Sequence, residues 1–414
     1  KLLEKVSTKA SVSPVLMKLE QLTILSNKSS ILTDFSFRYK TYNDFNHFID
    51  NVKMKSQFHS STIEMEDVAY FSSELYGLKK KIFLNGDVSG KVSDLKGRNI
   101  LLVIGDKTSF SGNFDMTGLP DINQTFMNFE AKELRTSKTG IEDIPLPPFS
   151  EKHSIILPQN ITLFGQIKFK GNFSGFYNDF VSYGKFNTAL GQFSTDISLK
   201  EDSLINQTRY KGKISCKDFN LGKFFESEKY MGRISMNANI EGKGLKKENA
   251  IATMEGEVNH IELHGYNYQN IDLKGKFARN IFDGMLSVND ENLRMDFNGS
   301  MNFSKSPTVV NFTSDIEKAN FSKLNIVRSD EYVGVAVKIH VNAVGNNMDD
   351  VTGKMTLNDA MYLKGEEVFK FKDIELNIDD RAGIKTMDFN SSIADIHLNG
   401  KFKPIEVASS LNDF

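Results

Sequence analysis

The sequence predicts an all-β protein, a long antiparallel meander curled into an open apolar groove, a repeating β-groove with a few short helices. Three observations carry this. Apolar residues recur at every second position in run after run, the period of a strand with one buried face. Polar, Asn/Asp-rich segments separate the runs, the material of tight hairpins. Glycines fall in phase with the apolar residues instead of in the turns. All three are plainest between Ala252 and Phe303, where the runs are Met254-Gly256-Val258, Ile271-Leu273-Gly275-Phe277, Phe282-Gly284-Leu286-Val288 and Leu293-Met295-Phe297-Gly299-Met301-Phe303. Glycine inside a strand costs stability and marks a bend or a close approach. Glycine on the inner face of one strand after another lets a sheet curl toward that face.

Residues 1–80 mix strands with a short helix. Ile31 to Arg38, Val52 to Phe58 and Ile63 to Tyr70 read as strands, and Thr41 to Asp50 reads as a helix capped by Asn43. In 81–144 the groove pattern begins with Ile82, Leu84, Gly86, Val88, Gly90 and Val92, continues through Ile100 to Ile104, and resumes at Phe110, Gly112, Phe114 and Met116. A proline-rich loop at 145–160 is the one compositional seam, and 161–414 reads as continuous groove. It opens on the longest alternation in the chain, Ile161, Leu163, Gly165, Ile167, Phe169, Gly171, Phe173 and Gly175, broken on its polar side by Phe164. Short helices are expected at Leu221 to Tyr230, with Phe224, Phe225 and Tyr230 as a plug, and at Asn320 to Arg328.

Roughly 30 strands at about 4.8 Å spacing exceed what an open sheet holds without curling or splitting. A stack of sandwiches should show linkers about every 100 residues, and one seam is visible, so one gutter is favoured. Its lining is assigned to Phe110, Phe114, Leu163, Ile167, Phe169, Phe173, Ile214, Ile234, Met236, Ile240, Val258, Phe277, Leu286, Val288, Met295, Phe297, Met301, Phe303, Val337, Ile339, Met355, Leu357, Leu398 and Phe402. Lys168, Lys170, Lys274, Lys276, Asn298 and Lys401 then face solvent, because successive side chains alternate faces.

Composition narrows the function. Charges nearly cancel, 51 basic against 53 acidic, so no basic field points to nucleic acid. The single cysteine, Cys216, leaves no internal disulfide framework or cysteine zinc site, and its phase makes it a small buried hydrophobe. No run approaches the roughly 20 apolar residues that cross a bilayer. The chain opens at Lys1 without a methionine and reads as a fragment of a longer protein whose membrane anchor lies elsewhere.

Catalytic, cofactor and metal residues are assigned to none. His260-Ile261-Glu262-Leu263-His264 places two imidazoles and a carboxylate on one strand face but lacks a fourth ligand. Ser215-Cys216 has no histidine in a plausible relay, and Asp349-Asp350 and Asp379-Asp380 are better read as turn residues than as proton-sharing pairs. No phosphate-binding or nucleophile-elbow motif is present, so the chain is not expected to be an enzyme.

Five passages, Ser89-Gly-Lys-Val-Ser-Asp-Leu-Lys-Gly97, Gly118-Leu-Pro-Asp121, Glu133-Leu-Arg-Thr-Ser137, Gly175-Phe-Tyr-Asn-Asp-Phe-Val-Ser-Tyr-Gly184 and Gly265-Tyr-Asn-Tyr-Gln-Asn-Ile271, resemble the TamB-type translocation and assembly proteins of the AsmA-like superfamily, as found in Bacteroidetes. They spread over most of the chain. The resemblance implies an inner-membrane anchor and an Omp85-type outer-membrane barrel as partner, both met through parts absent here, with residues 1–80 as the AsmA-like segment. It also implies a periplasmic conduit moving phospholipid between inner and outer membrane in outer-membrane biogenesis. A scaffold for outer-membrane protein translocation and assembly, or a passive β-rich spacer, are the alternatives. Asp202-Ser203-Leu204 resembles that phylum's O-glycosylation acceptor.

Overall fold

The period-two runs form 23 antiparallel strands among the described residues. The computed structural model describes residues 3–69, 75–146, 149, 154–202, 207–244, 249–278, 280–304, 306–347, 349–404 and 406–407. They fall into two compact units, Lys1–Asn206 and Gln207–Phe414. The first contains β1 (Leu3–Ser13), β2 (Leu16–Ser26), β3 (Ser30–Arg38), β4 (Lys53–Glu64), β5 (Lys81–Lys91), β6 (Asp94–Ile104), β7 (Thr108–Thr117), β8 (Phe126–Thr136), β9 (Ile167–Phe176), β10 (Asp179–Thr188) and β11 (Gly191–Asp202). The second contains β12 (Gln207–Asn220), β13 (Met231–Lys243), β14 (Ile251–Leu263), β15 (Tyr266–Ala278), β16 (Ile281–Asn289), β17 (Leu293–Asn302), β18 (Thr308–Asn320), β19 (Val333–Gly345), β20 (Thr352–Lys364), β21 (Glu367–Arg381), β22 (Ile384–Ser391) and β23 (Asp395–Gly400).

Within each unit the meander is a single layer. The other regular elements described are helices of at most six residues, too short to form a covering layer.

One device recurs at the bulges. Gln21, Ser60, Asn99 and Asp218 have left-handed backbone (φ 52°, 45°, 51° and 50°) where the pairing register shifts. In each case the N–H freed by the bulge donates to a side-chain oxygen on the next strand: Asp34 Oδ1 (2.8 Å), Asn85 Oδ1 (3.1 Å), Asn113 Oδ1 (3.0 Å) and Ser235 Oγ (2.8 Å). A bulge leaves one residue outside the ladder, and the borrowed acceptor satisfies it.

Several sequence expectations change. Lys53–Phe58 and Ile63 lie on one strand, β4, joined through the Ser60 bulge, Val52 ends the preceding helix, and Met65–Val68 is helical; Tyr70 lies outside the described residues. The described residues hold 23 strands against the roughly 30 expected from strand spacing along the sequence. The helix after Thr41 is a 3₁₀ turn, Tyr42–His47, followed by one α-turn, Phe48–Asn51. Its start is held by Asp44, not Asn43: the Asp44 carboxylate accepts the N–H groups of Lys40 (2.6 Å) and Thr41 (3.2 Å), which hold its pKa down. The helix at Leu221 stops at Phe224. Phe321 to Val327 is a series of turns and not a helix, with the Asn320 carboxamide accepting the Lys323 N–H.

The largest correction concerns Ile161 to Gly165. Gln159–Phe164 is a 3₁₀ helix launched from Pro158 and ended by Gly165 at φ +59°, a conformation natural to glycine. The strand begins only at Ile167, so Leu163 is not on it. Phe164, the residue that broke the alternation, turns its ring against Phe193, 5.8 Å between centroids.

The Gly265–Ile271 passage proves to be a structural motif. Asp290 is buried in the β16–β17 turn, where its carboxylate accepts from the Tyr266 hydroxyl (2.5 Å) and from the N–H groups of Gln269 (3.0 Å) and Asn292 (2.8 Å). Burial, and then the hydrogen bond to Asp290, push the Tyr266 hydroxyl pKa up. Asp290→Ala strands three donors at once. A loss of about 2–3 kcal/mol is expected in urea unfolding, whereas exposed Asp296→Ala should change stability by less than about 0.5 kcal/mol.

Candidate functional site

Antiparallel register turns the alternation into rows that cross the strands. In the second unit one row runs Cys216, Met236, Val258, Ile271, Val288, Met295, Ile316, Val337. The next runs Ile214, Ala238, Gly256, Leu273, Leu286, Phe297, Ser314, Ile339, Leu357, Ile374. A third begins Ile240, Met254, Gly275, Gly284, Gly299, Phe312, Val341, Met355. A fourth takes in Phe277, Phe282, Met301, Val310, Ala343, Gly353, Ile378, Met387, Leu398. Four rows on one face make a continuous apolar surface.

The first unit builds the same surface from phenylalanine. Leu102, Phe110, Leu134, Phe169, Phe186 and Phe193 form one row, and Phe114, Phe129 and Phe173 lie in another. The rings touch across strands: Phe169–Phe186 at 4.7 Å, Phe186–Phe193 stacked at 4.6 Å, Phe173–Phe180 at 4.7 Å. Such aromatic pairs add about 0.5–1.5 kcal/mol each beyond burial. Ile167 is half-buried at the start of β9.

Burial follows the alternation. Phe169, Val258, Val288, Phe297 and Val337 are buried, while Lys168, Lys170, Lys274, Lys276, Asn298 and Lys401 are exposed. Packing is deepest around Ile234, Val258, Ile271 and Val288, where Phe219 and Leu221 fold over the end of the face. Of the expected plug, Phe224 packs edge-on to Phe219 (5.8 Å), while Phe225 and Tyr230 are exposed. Cys216 sits half-buried in this cluster, and burial pushes its thiol pKa up.

Leu163 and Phe303 do not join the face. Leu163 is on the 3₁₀ helix, and Phe303 stands 56 % exposed in the turn after β17. Phe402 is half-buried but lies beyond β23, the last strand. Phe129, Leu134, Phe186, Phe193 and Ile316 belong to the face and were not assigned to it, whereas Ile271, Leu273 and Phe282 lie in it as their alternating runs predict. The usable signal was parity once a bulge is counted: β8 shifts register between Ala131 and Leu134, so Leu134 lines up with Phe169.

Comparison with known proteins returns no match: no family model, no curated protein and no solved structure.

On the opposite face a cavity of about 830 Å³ spans β14 to β20. Two rows of outward side chains flank it, Glu255-Lys274-Met285-Asn298-Thr313-His340 and Glu257-Asp272-Ser287-Asp296-Asp315-Lys338. Met285, 50 % exposed, is the one large apolar side chain among them.

The histidine cluster disperses. His260 approaches Asp218 (3.3 Å), Glu262 accepts the Arg233 N–H (2.9 Å), and His264 occupies a left-handed turn position with its ring edge-on to Tyr230. Among the described residues no three His, Cys, Asp or Glu side chains converge on a metal position. Asp350 accepts the N–H groups of Asn346 and Asn347, and Asp380 that of Gly383, so both serve turns. Asp202-Ser203-Leu204 reaches outside the described residues.

Proposed function

We propose that this chain is a section of a TamB-type, AsmA-like conduit whose apolar face carries the acyl chains of phospholipids across the periplasm. On this reading an inner-membrane anchor and an Omp85-type barrel partner belong to other parts of the protein. The observation that carries it is the set of apolar rows on a single-layer sheet, with no helix or second layer among the described residues long enough to cover them within either unit. A face of that extent marks a ligand or partner surface. Each methylene removed from water on it stabilises by about 0.8 kcal/mol. No polar side chain in the central rows except Ser314 interrupts them, so a chain is held in aggregate and fixed nowhere.

The test uses half-buried Leu286 and its neighbour Met285, which faces the other side. A photo-crosslinker at Leu286 is expected to capture phospholipid, and one at Met285 none; organic extraction of the purified protein should recover the same lipid. Capture at neither position, with no extractable lipid, would remove the conduit reading.

One observation favours a second reading. Among the described residues β1 pairs only with β2, and Leu3, Val6 and Val12 are exposed along it. An edge of this kind can accept another strand, and polypeptide adducts from Ser7 would support a protein-assembly scaffold.

A further inference from the structure

The two ends of the strands in the Gln207–Phe414 unit differ in chemistry. One end collects the turns Asn220–Met231, Leu263–Tyr266, Asn289–Leu293, Asn320–Val333 and Lys364–Glu367. Hydrogen bonds knit these turns together: His264 N–H to Tyr230 O (2.9 Å), Asn325 Nδ2 to His264 O (3.2 Å), Asn320 N–H to Asn292 O (2.8 Å) and Gly365 N–H to Tyr332 O (2.9 Å). Along this rim Phe225, Tyr230, Ile326, Tyr332, Tyr362 and Phe369 are exposed. At the turns of the opposite end only Phe303 and Ile384 are, among the described residues.

The rim carries charge as well as rings. On the strands some lysines meet carboxylates of the neighbouring strand, as in Lys211–Glu241, Lys274–Glu255 and Lys354–Glu375. Three of these five turns carry both signs, Lys229 with Glu228, Arg328 with Asp330, Lys364 with Glu366. None of these six forms an ion pair among the described residues. Tyrosine and phenylalanine beside charges of both signs, with the Lys229 ammonium 5.3 Å from the centre of the Tyr230 ring, is the chemistry of a lipid–water boundary, where amphipathic rings sit at headgroup depth. Paired opposite charges complement a phosphate and an ammonium on one molecule, whereas an anionic headgroup would meet the carboxylates unfavourably.

We propose that this rim seats the headgroups of zwitterionic phospholipids, phosphate toward the Lys and Arg side chains and amine toward the Glu and Asp, while their acyl chains run onto the apolar rows. The inference rests on the acyl-chain reading of those rows. It is tested on the full chain carrying a benzophenone side chain at Tyr332, Phe303 or Leu286, incubated with vesicles of phosphatidylethanolamine or of phosphatidylglycerol, with adducts mapped by fragmentation. With phosphatidylethanolamine, Tyr332 is expected to give headgroup or glycerol adducts, Phe303 none, and Leu286 acyl adducts. Arg328→Glu together with Lys364→Glu should lower capture at Tyr332 about five-fold. Equal headgroup capture at Tyr332 and Phe303, or phosphatidylglycerol captured at Tyr332 as well as phosphatidylethanolamine, overturns the rim assignment while acyl adducts at Leu286 leave the conduit standing. Protein self-adducts at Tyr332 in place of lipid overturn it in favour of a rim that joins two copies. Absence of lipid at Leu286 removes both.

Discussion

Phe297→Asp is expected to unfold the middle of the Gln207–Phe414 unit while its first strands stay protected from hydrogen exchange. Phe297 is 6 % exposed, lies opposite Leu286 and Ser314, and packs its ring against Phe282 (5.8 Å) and Phe312 (5.2 Å). Losing a buried ring costs about 3–5 kcal/mol, and a carboxylate placed there without a partner adds to that. A domain's whole stability is about 5–15 kcal/mol. The extensive contacts of each strand are with its neighbours in the chain, so the damage should propagate from β16–β18 and fade toward β12, as in repeat proteins. Asn298→Asp, one residue along and exposed, should shift the urea midpoint by less than about 0.5 kcal/mol equivalent. Sequence parity makes Leu286 and Phe297 equal groove positions, so that replacing both together with Asp is expected to impair transport more than folding. Burial separates them, and only half-buried Leu286 keeps that expectation. Full protection of β16–β18 in Phe297→Asp would show the face to be open to water there.

The alternation was legible because it is local: side chains of a strand change face at every residue whatever the partner strand. Lys168 against Phe169 and Asn298 against Phe297 needed nothing more. The rows were not legible, since they depend on which residue of the next strand lies opposite. A left-handed residue such as Asn99 or Asp218 resets that correspondence without leaving an apolar signature. Its partners, Asn113 and Ser235, look in sequence like ordinary polar-face residues. The rim escaped notice for another reason: Tyr230, Asn325 and Tyr332 are brought together by hairpins that all return to the same end, and no periodicity encodes that. Leu163 was misplaced because a 3₁₀ helix between Pro158 and Gly165 keeps the spelling of a strand for five residues. The proline before it and the off-phase Phe164 were the clues.

Gly284→Ala is expected to destabilise the second unit by about 2–3 kcal/mol, and Gly383→Ala by about 1 kcal/mol or less. The two differ in what a methyl group would meet. Gly275, Gly284 and Gly299 lie directly opposite one another on β15, β16 and β17. A Cβ at Gly284 would stand 2.3 Å from the Lys274 carbonyl oxygen and 2.4 Å from Gly275 Cα, both backbone atoms, so the strands themselves would have to part. The Phe282 ring lies over Gly275, where a Cβ would fall 2.6 Å from its edge, filling the space that the missing side chains leave. Gly383 has a left-handed φ of +81° in the β21–β22 turn but nothing within 4 Å of the added carbon, so only backbone strain is charged there. The glycine row therefore acts through contact between strands, and glycine on one face of successive strands lets a sheet curl toward that face. Unfolding midpoints for the two variants decide the matter: if Gly284→Ala is no worse than Gly383→Ala, close strand approach does not set the curvature of this face.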